Sequence, residues 1–270
     1  MAEVNKPFFI HVALSPHSAL NFGTLTGNKS RPVFTIPPPT TLIGALSYPL
    51  ARIEGSPESG RRYMPAVLAG ILMGVYMRLD GPAIPYATIT KMWFYDPDDK
   101  LVKSDAYGYQ RLYVKPKWRG GPTIKAVYIF DGVKARKELG DRWREKLVAS
   151  ATTMVRLGDK ESLVSVDQVS YGEAEILYLD EVVTRYTVPL NDALLIEPVE
   201  RWQELKVYEF YDWRKLKGPD ITELPTTKVV FAYDRRNFLA GGLKVRNRNA
   251  GKLKAYKLKV GEEVEHVVAW

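Results

Sequence analysis

The sequence predicts an α+β fold in which strands and helices follow the order β-α-β-β-α-β. An arm interrupts that order, and a smaller β-rich part follows it. Three observations predict this. An apolar, strand-like run at Pro7–Leu14 leads through a polar stretch to a proline-headed helix. Apolar residues at steps of three and four across 132–154 predict a second helix. After Val169 the chain turns to short strands and turns, with a proline-marked change around 189–198.

Pro7–Leu14 reads as the first strand, and the polar stretch 15–35, with Gly23, Gly27, Lys29 and Arg31, as a long loop. Pro37-Pro38-Pro39 opens a helix over Thr40–Arg52, because proline suits a helix start and a threonine hydroxyl can cap the free amides there. Ala66–Arg78 and Ala83–Tyr95 read as two buried strands broken at Asp80-Gly81-Pro82. Residues 96–122, basic and rich in rings, read as an extended arm ending at Gly120-Gly121-Pro122. Thr123–Phe130 is a further strand. A helix over Gly132–Met154, capped by Asp131, carries Leu139, Trp143, Leu147, Ala151 and Met154 on one face. A short loop then meets the strand Leu163–Val169. Without the arm this is the split order of ferredoxin-like and RRM-type domains. The expected division is a first domain over 1–188, with the arm inserted, and a β-rich domain over 189–270.

The totals narrow the chemistry. Cysteine is absent, which excludes disulfides, thiolate zinc sites and cysteine nucleophiles. The apolar run Pro65–Met77 falls short of the roughly 20 residues of a membrane span, and the first residues lack the order of a signal peptide. A cytoplasmic protein without membrane association is the expectation. Lys and Arg number 39 against 31 acids, for a net charge of +8, but the excess is unevenly placed. Residues 228–259 hold ten basic residues against Asp234 alone, and residues 100–125 hold seven against Asp105. The rest of the chain is net acidic. An acidic body with two basic segments suits a polyanion binder, and equally suits exposed strands guarded by lysine.

Holding a single-stranded nucleic acid needs cations near phosphates and flat rings under bases. The arm interleaves Tyr109, Tyr113 and Trp118 with Arg111, Lys115, Lys117 and Arg119, and strand alternation would put Tyr109, Arg111, Tyr113 and Lys115 on one face. Arg156 and Lys160 flank the turn after the second helix, where Gly158 permits a left-handed bend. Lys29 and Arg31 lie in the loop leaving the same sheet edge, so the two loops could clamp one backbone. In Lys244–Asn249, Arg246 and Arg248 alternate with neutral residues, a pattern for a strand tracking nucleic acid or for a protected edge strand.

Phe34-Thr35-Ile36-Pro37-Pro38-Pro39-Thr40-Thr41-Leu42-Ile43-Gly44-Ala45-Leu46 resembles the RAMP superfamily of CRISPR-associated proteins, closest to the Cascade subunit family Cas-five. Arg156-Leu157-Gly158-Asp159-Lys160-Glu161-Ser162-Leu163-Val164 is similar to that family's segment between the second helix and the last core strand. Where such loops often carry several glycines, this one has Gly158. Length and arm position point to the archaeal, type I-A branch. The resemblance implies a subunit that holds the 5′ handle of the CRISPR RNA (crRNA) and packs against the Cascade backbone and large subunits. It also implies an arm inserted at the guide, and admits target DNA as a further partner.

Some relatives cleave crRNA without metal, a task for which histidine is the usual acid and base. Of His11, His17 and His266, only His17, beside Ser18 in a loop, is placed for it by sequence. Metal-ligand, nucleophile-elbow and phosphate-loop motifs are missing. The expectation is therefore a non-enzymatic, RNA-holding subunit without cofactor or metal. A metal-free endoribonuclease and a protein-interaction scaffold are the alternatives.

Overall fold

A computed structural model describes residues 6–23, 33–56, 62–89, 94–98, 100–103, 107–114, 124–159, 161–221, 223–249 and 251–270. The first strand, β1 (Phe8–Pro16), is buried along almost its whole length. Alternation sends Phe8, Ile10, Val12 and Leu14 into one apolar cluster and Phe9 into another, so both faces of the sheet it joins are covered.

Helix α1 (Pro39–Ile53) follows, with proline in its first turn. Its N-cap, Pro38, accepts from the Thr41 and Leu42 amides through its carbonyl at 3.0 and 3.2 Å, and no side chain caps the helix. The expected threonine cap is thus replaced by backbone.

The run expected as one strand from Ala66 divides. Met64–Ile71 is helix α2, with Pro65 in its first turn, and Leu72–Leu79 is strand β2. Met64, Leu68 and Ile71 point inward at helical spacing. A run apolar on every side gives no period by which to tell helix from strand, which is why the sequence reading fails here.

β3 (Ala83–Ile89) also departs from expectation. It leaves the core and pairs only with β6 (Tyr107–Tyr113), while β4 (Phe94–Asp96) and β5 (Leu101–Lys103) form a second small ribbon between them. The arm therefore begins at Ala83, ahead of the expected residue 96. Pro85 fits this, since a proline lacking its ladder donor is tolerated in a two-stranded ribbon.

β7 (Ile124–Phe130) returns to the core. The helical stretch after it breaks in two, α3 (Gly132–Leu139) and α4 (Trp143–Thr152), because Gly140 takes φ +81° and ends the first. The side chain of Asp131 does cap α3, accepting from the Val133 and Lys134 amides. The apolar stripe survives the break, with Leu139, Trp143, Leu147, Ala151 and Met154 all buried. β8 (Val164–Glu173) completes an antiparallel sheet in the order β2-β7-β1-β8, with the helices packed on one face.

The second face is covered by the C-terminal part. Its strands are β9 (Glu175–Leu179), β10 (Glu181–Thr184), β11 (Val188–Pro189), β12 (Leu194–Pro198), β13 (Glu204–Tyr211), β14 (Thr226–Asp234), β15 (Leu239–Gly241), β16 (Leu243–Asn247), β17 (Leu253–Val260) and β18 (Glu263–Val268). Tyr256, Leu258 and Val267 from β17 and β18 pack on Phe9, Tyr76, Val127 and Ile129. β9 pairs with β17 and β10 with β16, so strand pairing runs across the division expected between 188 and 189. Among the described residues no helix is long and apolar enough to cross a membrane.

Charged groups are enclosed between the core sheet and β18. Arg78 bonds Asp80 at 2.6 Å and Glu265 at 2.8 Å, and Lys125 lies 3.4 Å from Asp80. His11, 1% exposed, sits 4.0 Å from Glu265, and neither ring nitrogen has a hydrogen-bond partner. Burial, aided by the cations of Lys125 and Arg78 and opposed by Glu265 and Asp80, lowers the imidazole from 6.5 to about 4. The unfolded chain therefore takes up this proton first, and folding stability falls as pH drops from 6.5 towards 4. The loss should reach up to about 3 kcal/mol. Urea unfolding across that range should show a shallower decline for His11→Leu than for the parent, and parallel curves would refute the assignment.

Candidate nucleic-acid interface

Three segments of distant sequence meet at the end of β1. The loop leaving β1 is laced to the loop that follows α4: the His17 amide donates to the Leu163 carbonyl at 3.0 Å, and the Ser18 hydroxyl to that of Glu161 at 2.8 Å. The Leu163 amide donates back to Ser18 Oγ, and the Asn21 amide donates to Ser162 Oγ, both at 3.1 Å. Leu20 exchanges both backbone hydrogen bonds with Arg111 at 2.8 Å, fastening the same loop to the root of the arm.

Gly158 makes the first closure possible. It has φ +113°, and a Cβ there would stand 2.7 Å from the Asn21 carbonyl oxygen and 3.1 Å from the Phe22 ring. The left-handed bend expected at this glycine is present, and the approach of the other backbone is a second reason for it.

Beside that closure α1 presents an open face. Thr41, Gly44, Ala45 and Tyr48 line a cleft of about 290 Å³ with Val155, Arg156 and Gly158. Small residues leave the helix accessible, and a Cβ at Gly44 would meet nothing within 4 Å. The Arg156 guanidinium lies 4.9 Å from the centre of the Tyr48 ring, and that of Arg52 lies 4.7 Å from the same centre. Among the described residues neither arginine has a carboxylate partner, and the first turn of α1 carries no acid. Two cations gathered on one ring, with no acid against them among the described residues, make this side of the cleft a place for an anion with a flat group beside it.

The arm root carries Tyr109, Arg111 and Tyr113 on one face, as alternation requires, opposite Ala87, Pro85 and Ala83. The face sinks along its length. Tyr109 is 42% exposed, whereas Tyr113 is 6% exposed and its hydroxyl donates to the Thr35 carbonyl at 2.9 Å. Tyr113 is thus a packing residue beside Phe22, and its expected stacking role is corrected. Burial pushes its phenol well above the ordinary value. Arg111 is half-buried, with Nε enclosed and unpaired, and shares with Tyr86 and Tyr109 a hollow of about 400 Å³.

Two further candidate residues have partners within the fold. Arg246 bonds Glu181, to which Lys244 also lies close at 3.3 Å, and its hydrogen bond holds the Glu181 carboxyl below its usual range. Arg248 donates through Nε to the Leu194 carbonyl at 3.0 Å and through its amide to that of Ala193. Both contacts help hold the C-terminal sheet together, and both residues remain exposed on its surface. β16 and β17 are central strands, which removes the edge-strand reading. The acids that meet this basic run, Glu175, Glu181 and Glu204, come from other strands. Lys29, Arg31, Lys115, Lys117, Trp118, Arg119 and Lys160 lie outside the described residues. Sequence reasoning missed Tyr48 and Arg52, although a ring and a cation four apart on the outward side of a proline-headed helix were a usable signal.

The fold extends well beyond this cleft in its likeness to known proteins. No family model matches the chain. A crystal structure of a CRISPR protein from Archaeoglobus fulgidus superimposes with a TM-score of 0.59 over 96% of this chain and 98% of that one, at 19% identity. That likeness puts the chain in a class of α+β folds used by CRISPR proteins. Two proteins of Saccharolobus solfataricus, the CRISPR system aCascade subunit Cas5 1 and the CRISPR-associated protein Cas5 3, are each 31% identical to it. The matches run over 233 and 218 residues, and each spans 76% of this chain and 82% of the relative. The chain belongs to the Cas5 (Cas-five) family of CRISPR-associated proteins.

Proposed function

We propose that this chain is a non-catalytic subunit of a Cascade complex of the archaeal, type I-A kind, holding the 5′ handle of crRNA in the cytoplasm. The backbone and large subunits would pack around it. The likeness to a relative that is an aCascade subunit supports the assembly role. The sheet order β2-β7-β1-β8, with helices between its first and second and its third and fourth strands in sequence, supports a ferredoxin-like, RAMP-type scaffold.

The observation that carries RNA holding is Arg156 and Arg52 gathered on Tyr48, with Tyr48 and Arg156 lining an open cleft beside Gly158 whose lining holds no acid. A phosphate would sit between the guanidinium groups while a base or ribose lies along the small-residue face of α1. The hollow with Tyr86, Tyr109 and Arg111 offers the next exposed rings along the β1-exit loop.

A non-catalytic role is supported by the histidines. His11 is enclosed, and His266 lies half-buried on β18 with its pKa lowered by burial. His17, exposed in the laced loop, is the group on which a nuclease reading would depend. Purified protein incubated with labelled repeat RNA, with magnesium or with EDTA, should bind it and leave it intact. Metal-free cleavage at one position that disappears in His17→Ala would overturn the non-catalytic assignment. Failure to retain the RNA at low salt would overturn RNA holding.

A further inference from the structure

A second cavity, with no part in the cleft above, lies between α2 and α3. It measures about 550 Å³ and is lined by Tyr63, Ala66, Val67, Gly70 and Ile71 below, and by Arg62, Lys134, Lys137, Glu138 and Lys217 around the rim. Four cations thus face one carboxylate. Arg62 is shared between Glu54 at 3.3 Å and Glu138 at 3.8 Å, and Lys134 lies 3.9 Å from Asp131. Among the described residues Lys137 and Lys217 have no ion-pair partner. Apart from Tyr63 the floor is aliphatic, and Gly70 leaves space in it, since a Cβ there would meet nothing within 4 Å.

We propose that this groove docks an acidic amphipathic segment of a partner protein. Apolar side chains of the segment would seat on Ala66 and Val67 beside the space at Gly70, and its carboxylates would meet Lys137 and Lys217. The charge sets the sign of the occupant, and the floor sets its class. A nucleic acid would find phosphate partners here but little to stack on, because Tyr63 is the sole ring in the lining. A peptide helix or turn uses both features at once, with apolar anchors in the groove and acids at the rim. Cations that need no rearrangement to receive a carboxylate favour rapid, salt-sensitive association.

The test uses the full chain and a fluorescein-labelled amphipathic peptide, with leucines at positions i, i+3, i+4 and i+7 and glutamates between them. A glutamine-for-glutamate isostere and a labelled oligouridine serve as comparisons. The acidic peptide should bind about tenfold or more tightly than the isostere. Lys137→Glu/Lys217→Glu should abolish that preference, and Gly70→Leu, which fills the groove from an unobstructed position, should release both peptides without lowering the thermal midpoint. Equal affinity for the two peptides, or binding indifferent to Gly70→Leu, would overturn the proposal. So would loss of oligouridine binding in the lysine variant, which would make the groove a nucleic-acid surface. Arg52 and Arg156 are intact in these variants, so RNA held in the cleft reports independently.

Discussion

Arg52→Glu/Arg156→Glu should bind repeat-derived RNA roughly tenfold or more weakly than the parent chain, and with a shallower dependence on salt. Each phosphate contact with a single strand contributes about 0.7 to the slope of log K against log salt, so losing two should lower it by about 1.4. The argument rests on geometry. Both guanidinium groups already lie within 5 Å of the Tyr48 ring centre, at 4.7 and 4.9 Å, and among the described residues neither is spent on a carboxylate. Arg246→Gln is the matched comparison: its guanidinium is engaged by Glu181, so the slope should stay as it was. Fluorescence anisotropy across a salt series measures both. An unchanged slope in the double variant would mean that RNA does not pass through the cleft.

Replacing Gly158 with valine should be the most disruptive single change near the site. The position combines φ +113° with a carbonyl oxygen 2.7 Å from where Cβ would be, so the residue must either strain or pull the two loops apart. A loss of about 2–4 kcal/mol is expected. Hydrogen exchange should locate it, with the Asn21 and Leu163 amides, which donate across the closure, losing protection first. RNA binding should weaken with it, because Arg156 stands on the same loop. Gly44→Ala makes an instructive contrast. It lies within α1 and faces open space, so alanine should stabilise the helix by about 0.5–1 kcal/mol while narrowing the cleft. Protection unchanged in Gly158→Val would show that the loops do not depend on this glycine.

Much of this fold was legible in the chain. Asp131 announces α3 because an aspartate before an apolar-periodic run caps free amides, and the stripe from Leu139 to Met154 is buried as its spacing requires. Proline at the head of α1 and the special backbone of Gly158 were equally readable, since both residues constrain dihedral angles locally. Other segments misled for physical reasons. The run from Met64 to Leu79 is apolar without a period, so helix and strand looked alike. Gly140 breaks a helix whose stripe continues on either side, so the stripe concealed the break. Tyr113 was on the expected face of its strand, but alternation says nothing about whether that face meets solvent or Phe22.

The basic run over 228–259 shows the same boundary most sharply. Linear order placed the cations, the rings, the turn glycine and the candidate helices, because those follow from side-chain chemistry and local dihedral preference. Folding chose which charges are cancelled, since Glu181 and Glu175 reach Arg246 and Lys257 only when strands far apart in the chain lie side by side. It likewise brought Arg156 over a hundred positions back to Tyr48. Electrostatic and stacking forces act through space over a few ångströms, and separation along the chain carries no information about that distance until the layers have packed.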